Sequence, residues 1–216
     1  MSPIAKICGI TTPEALDAAI AGGADYIGLV FFAKSPRHLE IARAKALAGL
    51  ARGRVKIVAL TVDASDETLQ EIVDEVAPDA LQLHGGETPE RVAEIKRKFG
   101  RAVIKAIPVA TAEDASKARD YVGVADVILF DAKASSGADL PGGNGRTFDW
   151  SVLEGVSDSI PFMLSGGLDP DNVAEAIAQM HPAAVDVSSG VEMAPGVKDP
   201  ERIRRFLHVA KTAKQT

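Results

Sequence analysis

Short runs of apolar residues recur along the chain, and between them the apolar positions take on a helical period. The runs are IAKIC, YIGLVFF, VKIVALTV, ALQLH, AVIKAI, DVILFD, PFMLS and AVDVSS, ending near Cys8, Phe32, Val62, His84, Ile107, Asp131, Ser165 and Ser188. Successive ends are spaced by about 26 residues, enough for a strand, a helix and two short loops. After LDPDN, the residues Val173, Ala176, Ile177 and Met180 form an i, i+3, i+4, i+7 stripe that suits a helix packed on a sheet. Strands alternating with helices imply parallel pairing. Eight such units in one modest chain predict a closed (β/α)8 TIM barrel rather than an open doubly wound sheet.

Four of the helices carry start signals. Thr12-Pro13-Glu14, Thr88-Pro89-Glu90, Asp169-Pro170-Asp171 and Asp199-Pro200-Glu201 each offer an N-cap oxygen, a proline for the first helical position and then a carboxylate. After Ser188 the cap comes unusually late, and the intervening SGVEMAPGVK has room for a short additional helix. No linker, low-complexity run or shift of composition divides the chain, so residues 1–216 are expected to form one domain.

Composition narrows the class. The 46% hydrophobic and 25% charged fractions are those of an ordinary soluble globular protein. A net charge of −6 argues against a general nucleic-acid binder, which would show a basic face. An anionic ligand then needs a local cluster of donors. One cysteine excludes an intramolecular disulfide. No signal-peptide pattern opens the chain, and no window approaches the roughly 18 apolar residues of a membrane span. The expectation is a cytoplasmic protein, monomer or homodimer, with neither a nucleic-acid nor a membrane partner.

Barrels of this kind place their chemistry at the C-terminal ends of the strands. Cys8, His84, Asp131, Ser165, Asp186 and Ser188 all fall there. A strand-end polar residue ordinarily serves a turn, but several converging on one rim point to a site. The glycine-bearing segments LSGGLDPDN and VDVSSGVE follow the seventh and eighth strands. Glycines let backbone N–H groups approach an anion closely, and the last two loops of such barrels are a usual phosphate site. After the second strand, FFAKSPRHL supplies Lys34 and Arg37, the local cations that an acidic protein would use to hold a carboxylate.

Other signals are weaker. GADLPGGNGRT lacks the first glycine and the lysine of a P-loop, with Leu140 and Arg146 in their places. His38, His84, His181 and His208 show no metal-ligand spacing, and no metal is expected. Lys105, within the fifth strand, reads equally as a site residue or as an edge lysine whose stem lies on apolar surface. The long glycine-bearing segment after Asp131 reads as a lid over residues 134–146.

Taken in order, KICGIT, GLVF with KSPR, LQLHG, LFD, GGNGRTFDW, LSGGL and VDVSSGVE…PGVKD resemble the phosphoribosylanthranilate isomerases of tryptophan biosynthesis. The resemblance runs from Lys6 to about Asp199, with small departures in FFAKSP and LTVDAS. It implies an Amadori rearrangement of N-(5-phosphoribosyl)anthranilate, a small phosphoribosyl substrate, with no redox change and therefore no cofactor. On this resemblance Cys8 is the general base and Asp131 the general acid. Arg37 would hold the anthranilate carboxylate, Asp186 would accept from its amine, and His84 would join the substrate-binding set. Gly166, Gly167, Ser189 and Gly190 would cradle the phosphate.

A free thiol titrates near pH ~8.5, so the base role requires donors or positive charge that favour the thiolate. A carboxyl acting as acid needs the opposite, and the alternation Val127, Leu129, Asp131 places apolar neighbours beneath it. Two alternatives stand beside this reading. The analogous isomerase of histidine biosynthesis resembles a duplicated half-barrel with an aspartate where Cys8 stands, and GGNGRT is not a second copy of LSGGL. A non-catalytic phosphosugar-binding barrel would have no need of both Cys8 and Asp131.

Overall fold

A computed structural model describes residues 3–133, 149–156 and 160–213. The lid expected over 134–146 lies outside the described residues. The eight runs form β1 (Ile4–Cys8), β2 (Tyr26–Phe31), β3 (Lys56–Thr61), β4 (Ala80–Leu83), β5 (Ala102–Val109), β6 (Val127–Ala132), β7 (Phe162–Leu164) and β8 (Ala184–Val187). They pair in parallel in chain order and close into a barrel, as the spacing predicts. Closure runs through β1 and β8, with Lys6 opposite Asp186.

The register sorts every strand into an inner and an outer face. Inside, Val58, Ala80, Ile104, Ala106, Leu129, Met163 and Ala184 fill the lower barrel, with Cys8, Val30 and Leu60 as a smaller group above. The opposite faces pack outward against the helices in the larger core, which contains Ile7, Ile27, Leu81, Phe130 and Val185 among others. Two polar pairs interrupt the apolar interior: Lys6 with Asp186, and Gln82 with His84. Both lie toward the C-terminal mouth.

The helices are α1 (Pro13–Ala21), α2 (Ile41–Ala51), α3 (Asp66–Val76), α4 (Pro89–Phe99), α5 (Ala112–Ser116), α6 (Val173–Met180) and α7 (Pro200–Thr212). Thr12, Thr88 and Asp199 cap α1, α4 and α7 through their side-chain oxygens, each followed by proline. The third start signal falls a turn early. Asp169 Oδ1 accepts from the amides of Asp171 and Asn172, forming a local turn, and α6 begins only at Val173 with Asn172 as its N-cap residue. After β5 the helix is short and continues as a 3-10 segment, Lys117–Tyr121. The stretch after β8 also differs from a plain extra helix. A 3-10 turn, Ser189–Val191, leads into an antiparallel hairpin of β9 (Glu192–Ala194) and β10 (Val197–Lys198).

Candidate active site

Cys8 closes β1 at the mouth of the barrel and is almost fully buried, 3% exposed. Strand alternation puts Lys6 on the same inner face, one layer below. Lys6 Nζ donates to Asp186 Oδ1 at 2.9 Å, and Asp186 Oδ2 accepts from Ser165 Oγ at 3.2 Å. Three strand ends, β1, β7 and β8, are thereby joined by polar contacts inside the barrel. Burial opposes the Lys6 charge, but Asp186 and Cys8 outweigh it and hold the ammonium above the usual lysine range. Burial pushes the Cys8 thiol up, against the pull of Lys6.

Asp131 lies at the C-terminal end of β6, one residue before its last. Its Oδ1 accepts from the amide of Ala132 at 2.9 Å, and its Oδ2 lies 3.1 Å from His84 Nε2. Gln82, one inward position below His84 on β4, approaches Nδ1 at 3.0 Å with its amide nitrogen. With the amide donating to Nδ1, the ring proton belongs on Nε2, which then donates to Asp131. Gln82 Oε1 is buried with no partner among the described residues. Leu129 lies beneath Asp131, as the alternation predicts, yet a polar relay flanks it as well.

Arg37, on the loop after β2, is buried to 6% exposure rather than spread over the surface. Its Nε and Nη2 form a two-pronged pair with Glu192 of β9 at 2.7 and 2.8 Å. Lys198 of β10 donates to the same carboxylate at 2.7 Å and to the Ser188 carbonyl at 2.9 Å. Burial pushes Lys198 down to about 8 against the pull of Glu192. Burial also opposes the Glu192 charge, but hydrogen bonds from Arg37 and Lys198 hold its carboxyl below the usual range. Gly9, at φ 78°, lets the chain leave Cys8 beside this cluster; a Cβ there would meet Arg37 Cδ at 2.6 Å and Lys198 Nζ at 3.3 Å. The hairpin after β8 thus brings the Arg37 guanidinium to the residue that follows the thiol.

The two glycine-bearing loops are packed as closely as their composition allows. A Cβ on Gly166 would stand 2.4 Å from the amide nitrogen of Ala132, and one on Gly190 would stand 2.0 Å from the carbonyl oxygen of Leu168. Gly190 and Ser189 lie in the 3-10 turn after β8, directly against the loop that carries Gly166 and Gly167. The backbone of the β7 and β8 loops therefore forms one continuous edge of the mouth.

The described structure brings together His84 with Asp131, Asp186 with Ser165, and Arg37 with the segment after β8. Cys8 and Asp131 stand on strands separated by β7 and β8 around the barrel. Lys105 is placed elsewhere. It points outward from β5 to Glu87 Oε2 and the Gly85 carbonyl, both at 2.7 Å, and pins the turn that follows His84. Lys6, Gln82, Glu192 and Lys198 are the site residues that sequence reading missed. Alternation carried a signal for two of them: Lys6 lies two residues before Cys8, and Gln82 two before His84. Among the described residues, no group of three or more His, Cys, Asp or Glu side chains is placed to hold a metal ion, and no helix is long and apolar enough to cross a membrane.

A closed parallel barrel with buried titratable side chains gathered at its C-terminal mouth defines a (β/α)8-barrel enzyme. Residues 5–209 match the family of N-(5'phosphoribosyl)anthranilate (PRA) isomerases, and the chain belongs to that family. A relative from Rhodopseudomonas palustris (strain BisA53), named N-(5'-phosphoribosyl)anthranilate isomerase, is 55% identical over 210 residues, covering 97% of this chain and 96% of its own. The crystal structure of phosphoribosyl anthranilate isomerase from Thermotoga maritima superposes with a TM-score of 0.87 at 37% identity, over 97% of this chain and 98% of that one. A further isomerase structure, in complex with reduced 1-(o-carboxyphenylamino)-1-deoxyribulose 5-phosphate, gives a TM-score of 0.85 at 35% identity, with the same coverage of each chain. The resemblance carried by KICGIT and VDVSSGVE is borne out.

Proposed function

We propose that this chain converts N-(5-phosphoribosyl)anthranilate into 1-(2-carboxyphenylamino)-1-deoxyribulose 5-phosphate in tryptophan biosynthesis, with Asp131 as acid and Cys8 as base. Asp131 gives its proton to the furanose ring oxygen, and the C1–O bond breaks to leave a protonated imine. The Cys8 thiolate then takes the proton from C2, which neutralises the imine as an enolamine. Protonation at C1 and loss of the C2 hydroxyl proton give the ketone. Oxidation level is unchanged throughout, so the reaction calls for no redox cofactor. The observation that carries the reading is placement: a buried thiol and a buried carboxyl end β1 and β6 at one mouth of one closed barrel.

The relay beside Asp131 suits a proton donor. If the Gln82 amide turns over, Oε1 accepts from Nδ1–H, and His84 Nε2 is left to accept from a protonated Asp131. The same heavy-atom positions thus serve the carboxylate and the loaded acid, which differ by one proton on Asp131, one tautomer and one amide flip. Arg37 is steadied by Glu192 to meet the anthranilate carboxylate. Asp186 has a second acceptor position for the anthranilate amine, since a carboxylate oxygen accepts more than one hydrogen bond. Gly166, Gly167, Ser189 and Gly190 offer the phosphate their backbone amides along the shared loop edge. A small polar substrate of amino-acid biosynthesis supports a cytoplasmic location.

The test is turnover. Freshly prepared phosphoribosylanthranilate should lose its fluorescence on addition of the purified protein; a trace identical to that of buffer alone would overturn the reading.

A further inference from the structure

Lys6 takes no part in the reaction as described above, yet it is fully buried, at 0% exposure. An ammonium removed from water is costly and is tolerated only with good partners. Asp186 is that partner, at 2.9 Å, itself steadied by Ser165. A buried ion pair is a weak device for stability, since apolar residues of similar volume do as well. The position of this one is informative. Lys6 and Cys8 share the inner face of β1, and both overhang Gly28 of the neighbouring strand. A Cβ added at Gly28 would lie 2.8 Å from Cys8 Sγ and 3.3 Å from Lys6 Nζ, so the absent side chain is what lets thiol and ammonium occupy the same space.

We propose that Lys6 is a positioning residue whose ammonium stabilises the thiolate form of Cys8, with Asp186 holding that ammonium in place. The proposal rests on the reading of Cys8 as the base. Burial alone drives the thiol toward its protonated form, in which it can remove no proton from C2. Three charged groups act on it: Lys6 on β1 and Lys198 on β10 favour the thiolate, and Asp186 on β8 disfavours it. Of these, Lys6 acts most strongly, and its ammonium shares the space over Gly28 with the sulfur. The two halves of one ion pair therefore have opposite effects on the thiol.

Cys8 is the only cysteine of the chain, so the ultraviolet absorbance of its thiolate, blanked against Cys8→Ser, follows a single group without substrate. In Lys6→Met the titration midpoint is expected to rise by about one pH unit, roughly tenfold less thiolate at a fixed pH. The acidic limb of the kcat profile should rise with it. In Asp186→Asn the amide oxygen can still accept from Lys6 and hold it, the thiolate replaces the lost carboxylate as its counter-charge, and the midpoint is expected to fall. Should Lys6→Met alone fail to fold around the stranded Asp186 charge, Lys6→Met/Asp186→Asn removes both charges, and the midpoint should still rise because Lys6 acts more strongly than Asp186. Unmoved midpoints, or shifts of the same sign in the two single variants, would overturn the proposal. Failure of the base reading is separate and shows as normal turnover by Cys8→Ala.

Discussion

Arg37 and Glu192, 155 residues apart in sequence, meet as a two-pronged ion pair across the mouth of the barrel. A planar guanidinium gripped through two N–H groups by one carboxylate has its orientation fixed rather than free to rotate. Arg37→Ala is expected to weaken substrate binding by about 1.5–3 kcal/mol, the contribution of a charge-assisted hydrogen bond. Glu192→Gln keeps the shape but removes the anion shared by Arg37 and Lys198. It should raise KM about tenfold while kcat changes little, since the contact is made in ground and transition states alike. Steady-state kinetics of both variants, with KM and kcat resolved, check this.

The relay Gln82–His84–Asp131 makes a different prediction, because it touches the proposed acid rather than a proposed binding group. Gln82→Leu preserves bulk inside the barrel but leaves His84 Nδ1 without its partner at 3.0 Å. The loss of one buried hydrogen bond, about 1 kcal/mol, should lower kcat roughly fivefold to tenfold with KM nearly unchanged. A KM effect without a kcat effect would detach the relay from the acid.

Asp114 anchors the start of the β6 loop. It accepts from Lys117 and from Lys133, which lies two residues beyond Asp131. Burial opposes its charge, yet these lysines hold the carboxyl down to about 2, against an ordinary 3.8. A carboxyl with a depressed folded pKa contributes stability that is complete above its unfolded value and is lost as pH falls through its folded value. Asp114→Asn should therefore cost about 2 kcal/mol at neutral pH, and about half of that at pH ~3. Urea unfolding of both proteins at the two pH values measures the difference.

Gly190 tests the edge shared by the β7 and β8 loops. Gly190→Ala would place its Cβ 2.0 Å from the Leu168 carbonyl oxygen, a backbone atom that yields only if the loop moves. Overpacking of this kind costs about 1–3 kcal/mol. Affinity for a product analogue carrying the phosphate should fall further than affinity for anthranilate alone, as titration calorimetry with both ligands can establish.

The barrel was legible because its signals are local. Alternating short apolar runs and capped helices repeat about every 26 residues on average, and Thr12, Thr88 and Asp199 cap as their sequences predict. Asp169 misled because Asx-turn geometry satisfies the same oxygen that an N-cap would use. The rim residues Cys8, Asp131 and His84 were legible from their positions at strand ends. Their partners were less so. Glu192 reaches Arg37, bringing Lys198 with it, only through a hairpin that follows the last barrel strand, and no local pattern encodes a contact over 155 residues. Lys105 read equally as a site residue or an edge lysine from its strand position, and register turns it outward to Glu87.

Cys8 and Asp131 are the two groups proposed to carry the rearrangement. Fluorescence decay of freshly made phosphoribosylanthranilate, followed with wild type, Cys8→Ala and Asp131→Asn side by side, tests this most directly. General acid–base catalysis is worth about two to four orders of magnitude in kcat, and each variant should lose that much while remaining folded. Wild-type decay accompanied by near-normal rates in either variant would contradict the account.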